Sequence, residues 1–444
     1  MRKDIVLSLG EKIRQIRNAK GISQENMARA INSNQPFIHR LEHGQVECSD
    51  EMLESIRRFL EIKNAPLFEN ELKIYRDRIW LWDDIISAHR IDEAKVMENE
   101  LSSILSLPFE GDLTLMYLMM VTRLLLKASN VPAAEEKMNE GEALLDSANK
   151  EALFMYYRNK GVIYAIRGDI RDALKHYLQA LDFAGNDIKP DASVFSNIGV
   201  LYMRLGKPSY AIEYLKRTNH EYSNDRHIIR ANTNAMLATA YTLTGEYNKA
   251  SKLFYASLAQ AKSVNDISLI GMILSNMGIH SVKTGNYKEC VRLCDQGLAY
   301  YTQGDKHQSK LVIYHNKGVN TVQCLLLFNK GLGLFKMKEY DKCHEIIKYG
   351  LALIDGDERF NISFTALGHL MALDNSKSID YLEDVAIPFF KAGDGFDKYL
   401  ALDICKEIEA HYKRKRVKTK ALAFAAIQRD IYEGMLFNEL ELEE

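Results

Sequence analysis

The segment NQPFIHRLEHG at residues 34–44 gathers side chains able to read nucleic acid. Glutamine can bond both polar groups of adenine, arginine both acceptors of guanine, and an aromatic ring can lie against a thymine methyl. Asn34, Gln35, Phe37, His39, Arg40 and His43 are therefore the candidate DNA-facing set, although the two histidines are equally suited to a solvated helix face. A second chemistry recurs further along. The phrase Asn-x-Gly stands at Asn159–Gly161, Asn197–Gly199, Asn276–Gly278, Asn316–Gly318 and Asn329–Gly331. Asparagine and glycine cost a helix interior roughly 0.5 and 1 kcal/mol against alanine. A carboxamide offers two donors and an acceptor, which matches the alternating groups of an extended peptide backbone. The other use of the same chemistry is to bond a neighbouring repeat's backbone and hold a stack together.

The elements that must position the first set lie within the first sixty residues. Leu9, Ile13 and Ile16 mark one apolar face of a helix that stops near Gly21. Ser23 is a plausible N-cap for a second helix with Met27, Ala28 and Ile31 inward. A third helix starts around Asn34–Pro36, where a first-turn proline is tolerated. It buries Ile38 and Leu41 and can end at Gly44 in the left-handed conformation. Ser49, followed by Asp50 and Glu51, starts a fourth helix. Two short helices joined by a tight turn form a helix-turn-helix. Over residues 8–62 the Ser23–Gln24 pair, the segment from Asn34 to Gly44, and Arg17 with Glu42 resemble the Xre or lambda-repressor-like family. The resemblance implies that Arg17 and Glu42 brace helices one and three, and that Gln24 touches a phosphate and supports Gln35.

The asparagines sit in a longer pattern. Gly161, Gly199, Ala238, Gly278 and Gly331 are each followed twelve residues later by Ala173, Ala211, Ala250, Cys290 and Cys343, and four further on by a residue such as Tyr177, Leu215 or Phe254. Small groups let two helices approach and bulky ones fill the gaps, which is the tetratricopeptide pattern, with spacings longer than its usual ~34 residues. Gly318 reads as a loop glycine. Less regular pairs are expected over 70–150 and 360–435, and the basic run at 411–420 reads as a solvated turn. Stacked pairs form a superhelix whose inner wall is lined by the first, or A, helix of each pair. Asn159, Asn197, Asn276 and Asn329 fall at one inward position, and Asn232 at another in the repeat that lacks the phrase. Met155, Arg158, Val200, Met203, Arg204, Thr239, Ile279, Lys283 and Phe328 are the further groove candidates, and the cations among them suit a peptide carboxylate.

Bulk properties agree. At 444 residues, 47% apolar and seven prolines, the chain is too long for one ordinary core, and helical periodicity runs nearly end to end. Net charge is −2, yet residues 1–45 carry eight Lys/Arg against four Asp/Glu; a basic head on an acidic body suits DNA. Six cysteines show no zinc spacing, and Cys290 with Cys294 read as packing groups, as do Trp80 and Trp82. No nucleophile–base pair, metal set or phosphate loop stands out, so neither catalysis nor a cofactor is expected. The absence of a signal peptide or membrane span points to a cytoplasmic chain.

The expected fold is all-α: a lambda-repressor-like helix-turn-helix at 1–62, a linker at 63–75 with a hinge around Pro66, and a tetratricopeptide superhelix at 76–444 serving peptide binding and dimerisation. That combination resembles the RRNPP family of peptide-responsive regulators, which includes PlcR, NprR, PrgX and Rgg. The resemblance implies a homodimer that binds palindromic double-stranded operator DNA and is controlled by a short signalling peptide, with no membrane role. Two other readings remain open: a Rap- or NprR-like regulator that binds a protein partner, and an antitoxin or phage repressor with a protein in its groove.

Overall fold

The computed structural model describes residues 9–62, 67, 69–88, 90–107, 109–186, 188, 192–221, 227–302, 319–354 and 356–436. The expected hinge at Lys63–Pro66, which is the first part of the linker, and the pair Asn316–Gly318 lie outside them. The described residues are helical without a strand, and they divide into two compact units, Met1–Pro190 and Asp191–Glu444.

The first unit opens with α1 (Leu9–Ala19), α2 (Gln24–Ala30), α3 (Gln35–Glu42) and α4 (Asp50–Phe59). Ser23, Asn34 and Ser49 cap α2, α3 and α4, each accepting a backbone N–H of the first turn. Gly21 and Gly44 turn the chain with φ of 66° and 65°, values that glycine adopts without a Cβ clash. Ile13, Met27, Ile38, Leu41, Ile56 and Leu60 close a core of their own, and Phe109 joins it from outside the head. The unit continues with α5 (Glu69–Ser87), α6 (Ile91–Leu101), α7 (Gly111–Lys127), α8 (Val131–Glu142), α9 (Lys150–Arg167) and α10 (Ile170–Ala184). Since α5 begins at Glu69, the linker expected over 63–75 is helical in its second half. Trp82 is fully buried and Trp80 donates to Glu151, so both pack as expected.

The second unit holds α11 (Ala192–Arg204), α12 (Pro208–Glu221), α13 (His227–Leu243), α14 (Tyr247–Ser263), α15 (Ile267–Lys283), α16 (Tyr287–Thr302), α17 (Val319–Lys336) and α18 (Tyr340–Leu353) as four pairs. It ends with α19 (Glu358–Leu370), α20 (Ser376–Tyr381), α21 (Ile387–Ala392), α22 (Gly395–Arg414) and α23 (Lys418–Leu436). Close approach explains the recurring glycines. A Cβ on Gly161 would lie 2.8 Å from the Tyr177 ring, and one on Gly199 2.6 Å from Leu215 Cγ. At Gly278 the clearance is larger, 3.1 Å to Cys294 Sγ, because its facing residue is smaller. Cys290 and Cys294 are buried packing groups. Residues 415–417 form the turn between α22 and α23, with Lys415 paired to Asp374.

Candidate DNA and peptide sites

On the head, Gln35, His39 and Arg40 are exposed along α3, as a reading helix requires. Asn34 and His43 mark its ends. Asn34 Oδ1 accepts the Phe37 amide at 2.9 Å, and His43 Nδ1 lies 2.6 Å from the His39 carbonyl, with the two rings 4.1 Å apart. Phe37 is half-buried and packs against the head's core. The brace between α1 and α3 is present: Arg17 Nε donates to Glu42 Oε1 at 2.5 Å and its second nitrogen to Oε2 at 2.9 Å. Gln24 Nε2 also donates to Glu42 Oε2, at 2.7 Å, in place of the expected support of Gln35. A buried carboxylate is a stronger acceptor than a neutral amide.

Lys12 donates to Glu110 at 2.6 Å, and Glu110 also accepts the Leu67 amide at 3.0 Å. Burial raises the Glu110 pKa against the opposing effect of these two donors. With Phe109 in the head's core, this buried pair ties α1 to the start of α7.

The five asparagines divide. Asn159, 1% exposed on α9, donates to the Met119 carbonyl of α7 at 2.6 Å. Asn329, 4% exposed on α17, donates to the Ser275 carbonyl of α15 at 3.0 Å and to its hydroxyl at 2.9 Å. Both hold one A helix to the preceding A helix, which is the stacking role. Asn197, Asn232 and Asn276 are half-buried. Asn276 has no side-chain hydrogen bond among the described residues, and Asn232 Oδ1 is buried without a partner among them.

Several groove candidates are placed elsewhere by packing. Arg158 is 3% exposed and bonds both oxygens of Asp83, at 2.9 and 2.8 Å, while Arg123 bonds the same carboxylate and Ser87. Burial works to raise the Asp83 pKa, but the two guanidiniums outweigh it and hold it low. Met155 and Met203 lie in the core, at 0% and 2% exposure, because each falls on the packed side of its helix. Thr239 bonds back to the Ala235 carbonyl at 2.9 Å. Arg158 and Met203 are therefore core residues rather than groove residues.

Lys283 and Phe328 fare differently: both line a cavity of about 300 Å³ within the second unit. Its floor includes Leu332, Leu367 and Leu370, and α22 forms its other wall with Asp403 and Glu407. Lys283 bonds both Asp403 oxygens, at 2.9 and 2.6 Å, and Lys336 pairs with Glu407. Arg204 Nε sits 3.5 Å from Asp394 Oδ2. None of the α22 acids was identified from sequence. Asp403 and Glu407, four apart on one helix, resemble any solvated pair until the fold brings α15 and α17 opposite them.

No group of three or more metal-ligand side chains exists among the described residues, and no described helix is long and apolar enough to cross a membrane. A helix-turn-helix family model matches residues 13–63. The transcriptional activator NprA of Geobacillus stearothermophilus is 22% identical over 398 residues, spanning 86% of this chain and 93% of that protein. The apo form of the quorum sensor NprR from B. thuringiensis superposes with a TM-score of 0.62 at 18% identity, covering 81% of this chain and 99% of that one. NprR in complex with its cognate peptide NprX gives 0.59 with the same identity and coverage. In domain order and fold the chain is thus similar to these regulators, with a helix-turn-helix head followed by paired helices of the tetratricopeptide kind.

Proposed function

We propose that the chain is a transcription regulator controlled by a short peptide. As a homodimer in the cytoplasm, it reads a palindromic operator with Gln35, His39 and Arg40 of α3, while Gln24 and Asn34 sit at the phosphates. The peptide lies along the A helices of the second unit, its backbone held by Asn276 and Asn232 with Asn197 beside them, and Lys283 next to a bound side chain. One observation carries this reading. Of the carboxamides at inward repeat positions, Asn159 and Asn329 donate into the stack, whereas half-buried Asn276 makes no side-chain hydrogen bond among the described residues. An amide left open to solvent in this way can exchange water for a peptide backbone without giving up a bond within the protein. The named relatives add support, since one is called a transcriptional activator and another is in complex with a cognate peptide.

Two recognition helices fit a duplex when the half-sites lie about 34 Å or a multiple apart, so a body that changes shape around a peptide alters DNA affinity. Selection from randomised duplexes by the full chain, with and without a random hexapeptide library, tests the proposal. The expected result is a two-fold symmetric site whose occupancy shifts by roughly 5–150-fold on peptide addition. Absence of a selected site, or identical occupancy in both arms, overturns it.

A further inference from the structure

The cavity of the second unit has a feature that the asparagine ladder does not explain. Two of its three lysines, Lys283 and Lys336, suit a ligand carboxylate but are already paired, and their partners are acids of the chain itself. The pairs bridge α22 to α15 and α17 across a space of about 300 Å³, whereas protein interiors are otherwise close-packed. Side-chain exposure is 26% and 34% for Lys283 and Asp403, and 27% and 25% for Lys336 and Glu407. Ion pairs that remain this accessible to water hold weakly and exchange partners readily.

The rest of α22 is anchored differently. At its start, Asp397 is 7% exposed and bonds Arg359 Nε at 2.5 Å. Gly395 meets the backbone of Gly206 so closely that a Cβ there would lie 2.3 Å from the Gly206 nitrogen. Ala401, Ile404, Cys405 and Ile408 are almost fully buried in the core that α22 shares with α23. The helix is thus fixed at its beginning and along its apolar side, while its acidic side faces a cavity across two accessible ion pairs.

We infer that this cavity is the specificity seat for a peptide bearing a carboxylate next to a large aliphatic or aromatic side chain, and that Lys283–Asp403 and Lys336–Glu407 are internal pairs the peptide must exchange. The inference rests on the peptide reading above. The apolar side chain enters against Phe328, Leu332, Leu367 and Leu370, while its carboxylate takes Lys283 or Lys336 from α22. The sign of the ligand follows from the charges lining the cavity: Lys283, Lys336 and Lys406 against Asp403 and Glu407 leave one positive charge in excess. Exchange also frees an acid of α22, parting that helix from α15 and α17, so the seat couples ligand identity to the shape of the unit.

The test is affinity selection of a random hexapeptide pool on the full chain, on D403N/E407Q and on K283M/K336M, with retained peptides identified by mass spectrometry. Wild type is expected to enrich Asp or Glu next to Leu, Ile or Phe. D403N/E407Q should retain those peptides about tenfold more strongly, as expected if the seat is open about one-tenth of the time in the wild type. K283M/K336M should lose the acidic preference while retaining apolar peptides. Enrichment of Lys or Arg, no charge preference, or unchanged retention by D403N/E407Q overturns the inference and leaves the peptide reading standing. Retention of no peptide by any of the three overturns the peptide reading itself, and this inference with it. Faster amide exchange in α22 of D403N/E407Q, with an unchanged unfolding midpoint, distinguishes an opened latch from a damaged fold.

Discussion

Each unit has carboxylates that bond cations from other helices, and two such sets do opposite things. In the first unit Asp83 is 4% exposed and sealed between Arg123 and Arg158, themselves 6% and 3% exposed. In the second, Asp403 and Glu407 meet Lys283 and Lys336 at the rim of a cavity. The pairing chemistry is similar, but access to water differs. Once water is excluded, removing one partner of a pair leaves charge with no solvent to absorb it; at a wet rim, solvent takes over. A sealed cluster therefore fixes structure, and an accessible pair can be exchanged for a ligand. Asp83→Asn is expected to destabilise the first unit by about 3–5 kcal/mol in urea unfolding, and Asp403→Asn the second by about 1 kcal/mol or less. Equal losses would break the comparison, since exposure would then not decide the outcome.

The asparagines repeat the lesson with neutral groups. Asn329 and Asn276 occupy equivalent repeat positions on neighbouring A helices, yet the first donates to Ser275 and the second has no partner among the described residues. Asn329→Ala leaves the buried Ser275 carbonyl and hydroxyl short of a donor, at an expected cost of about 1–3 kcal/mol. Asn276→Ala should change stability by no more than about 0.5 kcal/mol while removing retention of library peptides. A large stability loss at Asn276 with unchanged peptide retention would assign it to the stack as well.

Much of this was legible in the sequence, and the limits have physical causes. The head could be read nearly residue by residue because its caps and turns are local: Ser23, Ser49, Gly21 and Gly44 act within a few residues of themselves. The repeats were legible because close helix approach demands small residues at fixed spacing, as at Gly161 and Gly199. Repeat position alone could not separate Asn159 and Asn329 from Asn276, because the difference depends on which carbonyl the preceding helix presents. Arg158 looked like a groove cation because Asp83, its partner, lies 75 residues away. For the same reason the α22 wall was invisible: Lys283 and Asp403 are 120 residues apart.

The accessible region is also bounded, and the smallest expected effect tests where it ends. One turn beyond Asn276 on α15, His280 is 8% exposed, with Nδ1 2.9 Å from the Thr242 hydroxyl and Nε2 2.9 Å from that of Ser251. The Thr242 hydroxyl also donates to the Ala238 carbonyl, so it accepts from Nδ1–H, and Ser251 donates to Nε2. This arrangement suits the neutral ring, and burial lowers the His280 pKa. A lowered folded-state pKa means that above about pH 6.5, the ordinary value, the ring is neutral in both states and stability is unaffected. As pH falls below that value, the unfolded chain takes up a proton that the folded chain resists, so stability declines until the folded pKa is reached. The urea midpoint should therefore drop modestly between about pH 7 and pH 5.5, and His280→Gln should flatten that part of the profile. A profile unchanged by His280→Gln would mean that water reaches the ring, and the accessible face would then extend a full turn past Asn276.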